Sequence, residues 1–202
     1  MNRKGIPDMS ISIIEKQYRW NGELQKRSKT DYIIIHHAKA STCSPEDIHR
    51  WHLNNGWAGF GYQYFTRKDG TIYRGRPEDT VGAHTINYNS SGIGICFEGD
   101  FENERMSEAQ EKAGIELVRY LLSKYPGAKV IRHCDVNDTR CPGENFPNRI
   151  IIEGMKPEEE VNPVGVVAKA LGLNSPDYWA EHPDKYVHVL IRKMADYIKA
   201  HG

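Results

Sequence analysis

The stretch that decides the fold is GYQYFTRKDGTIYRGR, residues 61–76. Two runs rich in aromatic and β-branched residues flank Asp69-Gly70, and an Asp-Gly pair between such runs is typical of a tight β-hairpin turn. A hairpin pairs its two strands antiparallel. The sheet that contains this hairpin therefore includes at least one antiparallel pair.

Strands and helices interleave along the rest of the chain. Apolar and β-branched runs predict strands, and capped segments with helical periodicity predict helices. The strands are expected at 32–37 (YIIIHH), 91–101 and 128–133, and the helices at 44–55 and 107–125. Together with the hairpin, this order predicts an α/β fold with a mixed central β-sheet flanked by helices.

Both helices begin at recognisable caps. Ser44 precedes Pro45, which suits the first helical position, and Ser107 with Gln110 has the spacing of a capping box. On the first helix, Trp51 falls on the same face as other apolar residues, so we expect it in the core.

The composition changes after Ile152. Residues 153–163 (EGMKPEEEVNP) are polar and rich in helix breakers, which is typical of a linker. Apolar residues at helical spacing beyond it predict a small helical segment. The predicted organisation is therefore a main domain over 1–152, a linker over 153–163 and a helical module over 164–202.

Charge and hydropathy exclude several classes of partner. Lys plus Arg equals Asp plus Glu at 27 each, so no basic field favours nucleic acid. No apolar run is long enough to insert through a bilayer. The first twenty residues lack the apolar core and cleavage site of a signal peptide, so synthesis in the cytoplasm is expected. In that compartment the four cysteines favour free thiols or metal ligation over disulfides.

The segment IRHCDVNDTRCPGENFP, residues 131–147, places His133 and Cys141 in one loop that follows a predicted strand. His36 and His37 end another strand. If the two strands are neighbours in the sheet, a terminal histidine meets the loop, and three such ligands make an open zinc site. The alternative is that these histidines are ordinary polar residues at a strand end. The absence of a C-x-x-C pair argues against a closed structural zinc site.

Four motifs occur in order: YIIIHHAKAS, GFGYQYFTRKDGTIYRGR, VGAHTINYNSSGIGICFEGDF and RHCDVNDTRCPG. Between Asp31 and Pro147, the chain thereby resembles the zinc-dependent N-acetylmuramoyl-L-alanine amidases, which include phage amidase-type lysozymes and peptidoglycan recognition proteins. The resemblance implies that Zn²⁺ is bound by His36, His133 and Cys141, with Cys134 left to packing.

The resemblance also implies catalytic candidates. Tyr62 matches a tyrosine that lies near the metal, where its hydroxyl would orient water or donate to an oxyanion. Thr139 occupies a position where relatives carry Lys or Thr. Some relatives use a Glu as general base at the position of Cys96, so Glu98, two residues further on the same face, is a lesser candidate.

Substrate contacts follow from the same likeness. His84 and Asn89 match positions that line the family's groove. Arg76 is a candidate partner for a stem-peptide carboxylate because of its planar guanidinium, with a solvated strand end as the alternative. Trp57 is expected either in the floor of the groove or in the core.

The implied function is hydrolysis of the amide bond between N-acetylmuramic acid and L-alanine in bacterial peptidoglycan. A phage or prophage endolysin, released onto the wall after synthesis, is the favoured role. A non-catalytic recognition protein and a cytoplasmic wall-recycling amidase are the alternatives. For 164–202 three roles stay open: wall binding, self-association into a homo-oligomer, and packing.

Overall fold

A six-stranded mixed β-sheet forms the centre of the computed structural model, which describes residues 11–156. Its spatial order is β1-β4-β3-β5-β2-β6, and the β3–β4 hairpin is the antiparallel pair within it. The strands are β1 (Ile13–Ile14), β2 (Tyr32–His37), β3 (Tyr64–Thr66), β4 (Ile72–Arg74), β5 (Gly92–Phe97) and β6 (Lys129–Arg132). The predicted mixed sheet is confirmed.

The hairpin turns at the predicted Asp-Gly pair. Asp69 Oδ1 accepts the Thr71 backbone N–H at 2.9 Å, and Gly70 has a φ of 86°. That left-handed conformation favours glycine because a side chain would be strained there. The turn brings Phe65 opposite Tyr73 and so aligns β3 with β4.

Strand β2 lies between β5 and β6 and runs parallel to both. Ile33, Ile34 and Ile35 are each 0% exposed, as expected of a strand covered on both faces. Parallel strands end at the same edge of a sheet. The residues that follow β2 and β6 therefore emerge close together.

Helices cover both faces of the sheet. They are α1 (Pro45–Asn54), α2 (Glu108–Lys124) and α3 (Arg149–Met155), and a short 3₁₀ helix spans His133–Asp135. One core, between the sheet and the α2–α3 side, contains Ile33, Ile35, Ile93, Ile95, Phe97, Leu117, Val118, Leu121 and Ile150. The other, on the α1 side, contains Cys43, Ile48, Phe60, Phe65 and Cys96. None of the helices within residues 11–156 is long and apolar enough to cross a membrane.

The helix caps agree with the sequence in part. Ser44 caps α1 through a reciprocal box with Asp47. Ser107 accepts the Gln110 backbone N–H at 3.2 Å, as predicted. The Gln110 side chain, however, donates to the Thr66 and Glu98 carbonyls at 2.9 Å each. The predicted capping box at α2 is therefore only half formed, because the Gln110 side chain is hydrogen-bonded to carbonyl groups of the sheet instead of the start of the helix.

Two further details differ from the sequence-based expectations. Trp51 is 36% exposed, so its predicted place in the core is wrong. Helix α3 continues through Met155, past the boundary predicted at Ile152. It packs closely on α2, since a Cβ on Gly154 would lie 2.6 Å from Val118 Cγ1. The remainder of the predicted linker and the predicted module at 164–202 lie outside the described residues.

Glu78 ties the hairpin to the end of α2. Its carboxylate accepts hydrogen bonds from the Tyr64 hydroxyl, from Arg74 at 3.0 Å, from Lys124 at 2.6 Å and from the Tyr125 hydroxyl at 2.5 Å. Burial alone would raise the pKa of Glu78. The hydrogen bonds from Lys124 and the two tyrosines outweigh that effect and lower the pKa to about 2.

Glu78→Gln should therefore destabilise the protein at pH 7 by about 2–3 kcal/mol, since one pKa unit is worth about 1.4 kcal/mol. Because the folded pKa is depressed, this contribution is complete above the unfolded pKa and is lost as pH falls toward 2. Urea unfolding should thus show a gap between wild type and variant that narrows from pH 7 to pH 3.

Glu15→Gln is the matched control, because Glu15 pairs with the same Arg74 but its side chain is 62% exposed. We expect this exposed pair to contribute less than about 1 kcal/mol. A gap between wild type and Glu78→Gln that stays constant with pH would contradict the role of the charge.

Candidate metal centre

His36, His133 and Cys141 meet at the carboxyl ends of β2 and β6. One ligand atom from each lies within 4.8 Å of the other two. His36 Nδ1 is 3.7 Å from Cys141 Sγ, and the rings of His36 and His133 are 4.6 Å apart at their centroids. The structure therefore brings together the three residues that the sequence singled out.

The alternation of side chains along β2 decides which of the two histidines joins this cluster. His37 points to the opposite face, where its Nδ1 accepts the Phe101 backbone N–H at 3.2 Å and its ring stacks on the Phe101 ring. His36 pairs with Cys96 of β5 and is 1% exposed. The first histidine is thus the one that faces His133.

The loop after β6 is held by its own hydrogen bonds. The Cys134 N–H donates to the Cys141 carbonyl at 2.9 Å, and the Cys141 N–H donates to Thr139 Oγ1 at 3.2 Å. Asp135 accepts the Arg132 N–H at 2.8 Å. These contacts fold the loop back on itself, so that His133 and Cys141 approach each other although eight positions separate them.

The protonation states of the cluster suit a cation. Burial lowers the pKa of His36 and of His133, which keeps the imidazoles neutral with a lone pair available. Burial raises the pKa of Cys141 to about 12, so the thiol stays protonated unless a positive charge lies beside it. Two imidazole nitrogens and one sulfur form a donor set typical of zinc.

The spacing of the donors also fits. Zinc bonds of about 2.0–2.1 Å to nitrogen and 2.3 Å to sulfur at a tetrahedral angle place the two donors roughly 3.6 Å apart. The His36 Nδ1 to Cys141 Sγ distance is 3.7 Å. These residues could therefore hold a tetrahedral ion with little rearrangement.

Two residues lie behind His36. His36 Nε2 is 3.2 Å from His84 Nδ1 and 3.2 Å from Thr85 Oγ1. Burial, followed by the influence of His133, lowers the pKa of His84 to about 3, so its ring is neutral. The predicted groove residue His84 is thus also a neighbour of the cluster.

Tyr62 lies against the cluster, as predicted. Its ring centroid is 5.0 Å from that of His36 and 6.0 Å from that of His84. Burial raises the pKa of Tyr62 well above its usual value. Its hydroxyl therefore remains protonated, and a hydrogen bond with the Cys96 thiol contributes to the raised pKa.

Glu98 does not join the cluster. Its carboxylate accepts hydrogen bonds from Arg67 at 2.8 Å and from the backbone N–H groups of Cys43 and Lys68 at 3.1 Å each. Burial would raise the pKa of Glu98, but these donors outweigh it and hold the pKa below its usual value. A carboxylate engaged in this way is a poor general base, which argues against its predicted catalytic role.

A groove of about 570 Å³ opens beside the cluster. Trp57 is 42% exposed and Ile86 is 72% exposed, so both present apolar surface to a ligand. Asn89 Oδ1 accepts the backbone N–H groups of His84 and Thr85 at 2.8 and 2.9 Å and shapes the wall. The lining comprises Trp57, Ala83, His84, Thr85, Ile86, Asn89, His133, Asn137, Asp138 and Thr139.

Arg76 is not placed for the predicted contact with a substrate carboxylate. It is 5% exposed, and its guanidinium donates to the Phe60 carbonyl at 2.6 Å and to the Val81 carbonyl at 2.8 Å. Its planar fork thus binds backbone carbonyls inside the fold. Neither the predicted contact nor a solvated strand end describes its environment.

Sequence reasoning missed five groove residues. Ala83 directly precedes His84, Thr85 and Ile86 follow it, and Asn137 and Asp138 lie between His133 and Thr139. Their position beside residues already singled out is the one signal that could have found them. The contact of Thr85 with His36 had no such signal, because 49 positions separate the two residues.

The fold and the cluster define a mixed α/β protein with an open three-residue candidate metal site beside a groove. A family profile described as N-acetylmuramoyl-L-alanine amidase matches residues 26–144, more than half of the chain. The chain belongs to the N-acetylmuramoyl-L-alanine amidase family, as its motifs had indicated.

Solved structures and characterised relatives agree with this assignment. The endolysin N-acetylmuramoyl-L-alanine amidase LysCS from Clostridium intestinale URNW is 41% identical, with a TM-score of 0.67 over 69% of this chain and 92% of that chain. Peptidoglycan-recognition protein SC2 of Drosophila melanogaster is 32% identical over 160 residues, which cover 70% of this chain and 86% of that protein. The endolysin of Klebsiella phage KP32 is 33% identical over 128 residues, covering 59% and 85%.

The two adjacent histidines provide a matched test of the metal centre. Asn can accept a hydrogen bond where Nδ1 does, but it does not replace a zinc-binding imidazole. We expect His36→Asn to abolish stoichiometric zinc binding and His37→Asn to retain it, measured by metal analysis after dialysis. Equal zinc contents in the two variants would contradict the assignment of His36.

Proposed function

We propose that this chain is a zinc-dependent N-acetylmuramoyl-L-alanine amidase, which hydrolyses the amide bond between N-acetylmuramic acid and L-alanine in bacterial peptidoglycan. The observation that carries this proposal is the approach of His36, His133 and Cys141 to within 4.8 Å of one another. Three protein ligands beside an open groove are typical of a catalytic zinc site, whereas structural sites use four.

The chemistry that zinc supplies when bound is Lewis acidity toward water and toward the amide carbonyl. His36 and His133 would hold the ion as neutral imidazoles, and Cys141 as a thiolate. His36 is 1% exposed, so competing water is excluded from that side of the cluster. The groove admits substrate from the other side.

Tyr62 is the residue best placed to stabilise negative charge on the scissile amide oxygen. Its hydroxyl is protonated because burial raises the pKa of Tyr62. A buried donor that meets charge developing in the reaction favours the transition state over the ground state. Tyr62 therefore acts in this proposal as a hydrogen-bond donor.

Thr139, which lines the groove, is the second donor. Its Oγ1 accepts the Cys141 N–H at 3.2 Å, and the hydroxyl still carries a proton of its own to donate. A neutral hydroxyl stabilises an oxyanion less than an ammonium group does. We therefore assign Thr139 a smaller share than Tyr62.

The groove supplies the binding surface for the glycan and the stem peptide. Trp57 offers an exposed ring, and His84 and Asn89 also line the groove. Indole rings bind sugar and peptide groups through large flat apolar contacts. This arrangement supports peptidoglycan as the partner and Trp57, His84 and Asn89 as contact residues.

We further infer that the biological role is wall lysis by a phage or prophage endolysin. The likeness to the endolysins of Clostridium intestinale and Klebsiella phage KP32 supports this role. The likeness to a peptidoglycan-recognition protein supports the competing role, binding without cleavage. Measurement of cleavage separates the two.

The first test is end-group analysis of purified sacculi incubated with the protein. We expect new alanine amino groups without new reducing sugar ends, and loss of this activity when a chelator removes zinc. Cys141→Ser should lose more activity than the roughly 10–100-fold typical of removing an outer partner of a ligand, because it removes a ligand itself.

Cys134→Ser is the matched control. Cys134 lies in the same loop, and its hydrogen bond to Cys141 comes from its backbone N–H, which the substitution leaves in place. It should retain activity. Binding of sacculi without new amino groups, in walls of several chemotypes, would replace the amidase proposal by the recognition role.

Tyr62→Phe tests the proposed donor. Removing the hydroxyl should lower kcat by about 10²–10³-fold, the range seen when one oxyanion donor is lost. Zinc content and binding of sacculi should stay at wild-type levels, because the ring remains in place. A kcat within about twofold of wild type would remove Tyr62 from the proposed mechanism.

A further inference from the structure

A buried hydrogen-bonding trio lies behind His36, on the side of the ring away from Cys141. Thr85 Oγ1 is 3.2 Å from His36 Nε2 and 2.8 Å from His84 Nδ1. His36, Thr85 and His84 are 1%, 1% and 9% exposed. Water therefore has little access to these atoms, so the hydrogen bonds of His36 Nε2, Thr85 Oγ1 and His84 Nδ1 must be made within the trio.

The direction of the hydrogen bonds follows from the ligand atom. His36 presents Nδ1 to Cys141, and a nitrogen that binds a metal carries no proton. The proton of the neutral ring is then on Nε2, which must donate. Thr85 Oγ1 and His84 Nδ1 both lie 3.2 Å from that nitrogen and can accept its hydrogen bond. Thr85 can at the same time donate its own proton to His84 Nδ1, 2.8 Å away.

The alternative direction is incompatible with a metal. If Thr85 donates to His36 Nε2, the His36 proton moves to Nδ1 and points toward Cys141 Sγ. The lone pair needed for coordination is then lost. The direction of the Thr85 hydroxyl is therefore coupled to the ability of His36 to bind a cation.

The fold holds the trio rigidly. Asn89 Oδ1 accepts the backbone N–H groups of both His84 and Thr85. The His84 ring packs against Gly82 and Gly94. A Cβ atom added to Gly82 would lie 2.5 Å from the ring, and one added to Gly94 would lie 2.7 Å from it. The acceptor that orients the Thr85 hydroxyl is thus fixed in place.

From these contacts we propose that Thr85 and His84 are positioning residues that select the Nε2-protonated tautomer of His36. They act through His36 and need not touch the substrate. The inference rests on the metal centre of the proposed amidase. It adds a hydrogen-bonded chain, His36 Nε2–H to Thr85 Oγ1–H to His84 Nδ1, that prepares the site for zinc.

Thr85→Val is the direct test, because valine keeps the shape of threonine and removes the hydroxyl. We expect Zn²⁺ affinity, measured by competition with a chromogenic chelator, to fall by about 10–100-fold. The visible spectrum of the Co²⁺-loaded protein should change with it, since the ligand field depends on how His36 is held. Thr85→Ser keeps a hydroxyl and should restore both readouts.

Thr80→Val is the matched control. Thr80 is 3% exposed, and its hydroxyl donates to the Pro77 carbonyl at 2.7 Å, outside the cluster. This variant loses a buried hydrogen bond of similar kind and should keep wild-type zinc affinity. Wild-type affinity in Thr85→Val, or an equal loss in Thr80→Val, would overturn the proposal.

A measurement on the unmodified protein covers the case in which Thr85→Val does not fold. Long-range ¹⁵N–¹H spectra of the zinc-loaded chain should show His36 protonated at Nε2 and His84 protonated at Nε2 rather than Nδ1. A proton on His84 Nδ1 would overturn the proposed chain. Neither the zinc affinity nor the tautomers depend on whether sacculi are cleaved. A failure of the amidase proposal is therefore distinguished from a failure of the tautomer proposal.

Discussion

Parallel pairing of β2 with β5 and β6 is the constraint on which the rest of the structure depends. Ile35 pairs with Ile95 on one side and with Arg132, the last residue of β6, on the other. The next residues, His36 and His133, then lie side by side. A shift of one residue in this register would turn His36 toward the α2 face and separate the cluster.

The same strands explain how a polar cluster is tolerated inside the sheet. On β5, Gly94 leaves the space that the His84 ring fills, while Cys96 stands beside His36. The buried groups are neutral imidazoles and a protonated thiol, because an uncompensated charge would cost several kcal/mol there. A bound cation changes that balance and favours the thiolate of Cys141.

Local patterns accounted for most of the fold. The hairpin, the three long strands and the two longer helices lie where periodicity, caps and the Asp-Gly turn indicated. Three departures share a cause, because each involves hydrogen-bond partners in other segments of the chain. Gln110 donates to carbonyls of β3 and β5, and Glu98 is held by Arg67 and two backbone donors. Arg76 is buried on the carbonyls of Phe60 and Val81.

The sequence by itself determined the fold class, the family and the three candidate metal ligands, since these follow from periodicity and from motifs in a specific order. Only the tertiary structure decided which side chains surround those ligands. It placed Thr85 against His36, excluded Glu98 and Arg76 from the site, and put Trp57 on the groove. The reason is physical: hydrogen-bond partners and burial depend on distances between segments, and a local pattern does not contain those distances.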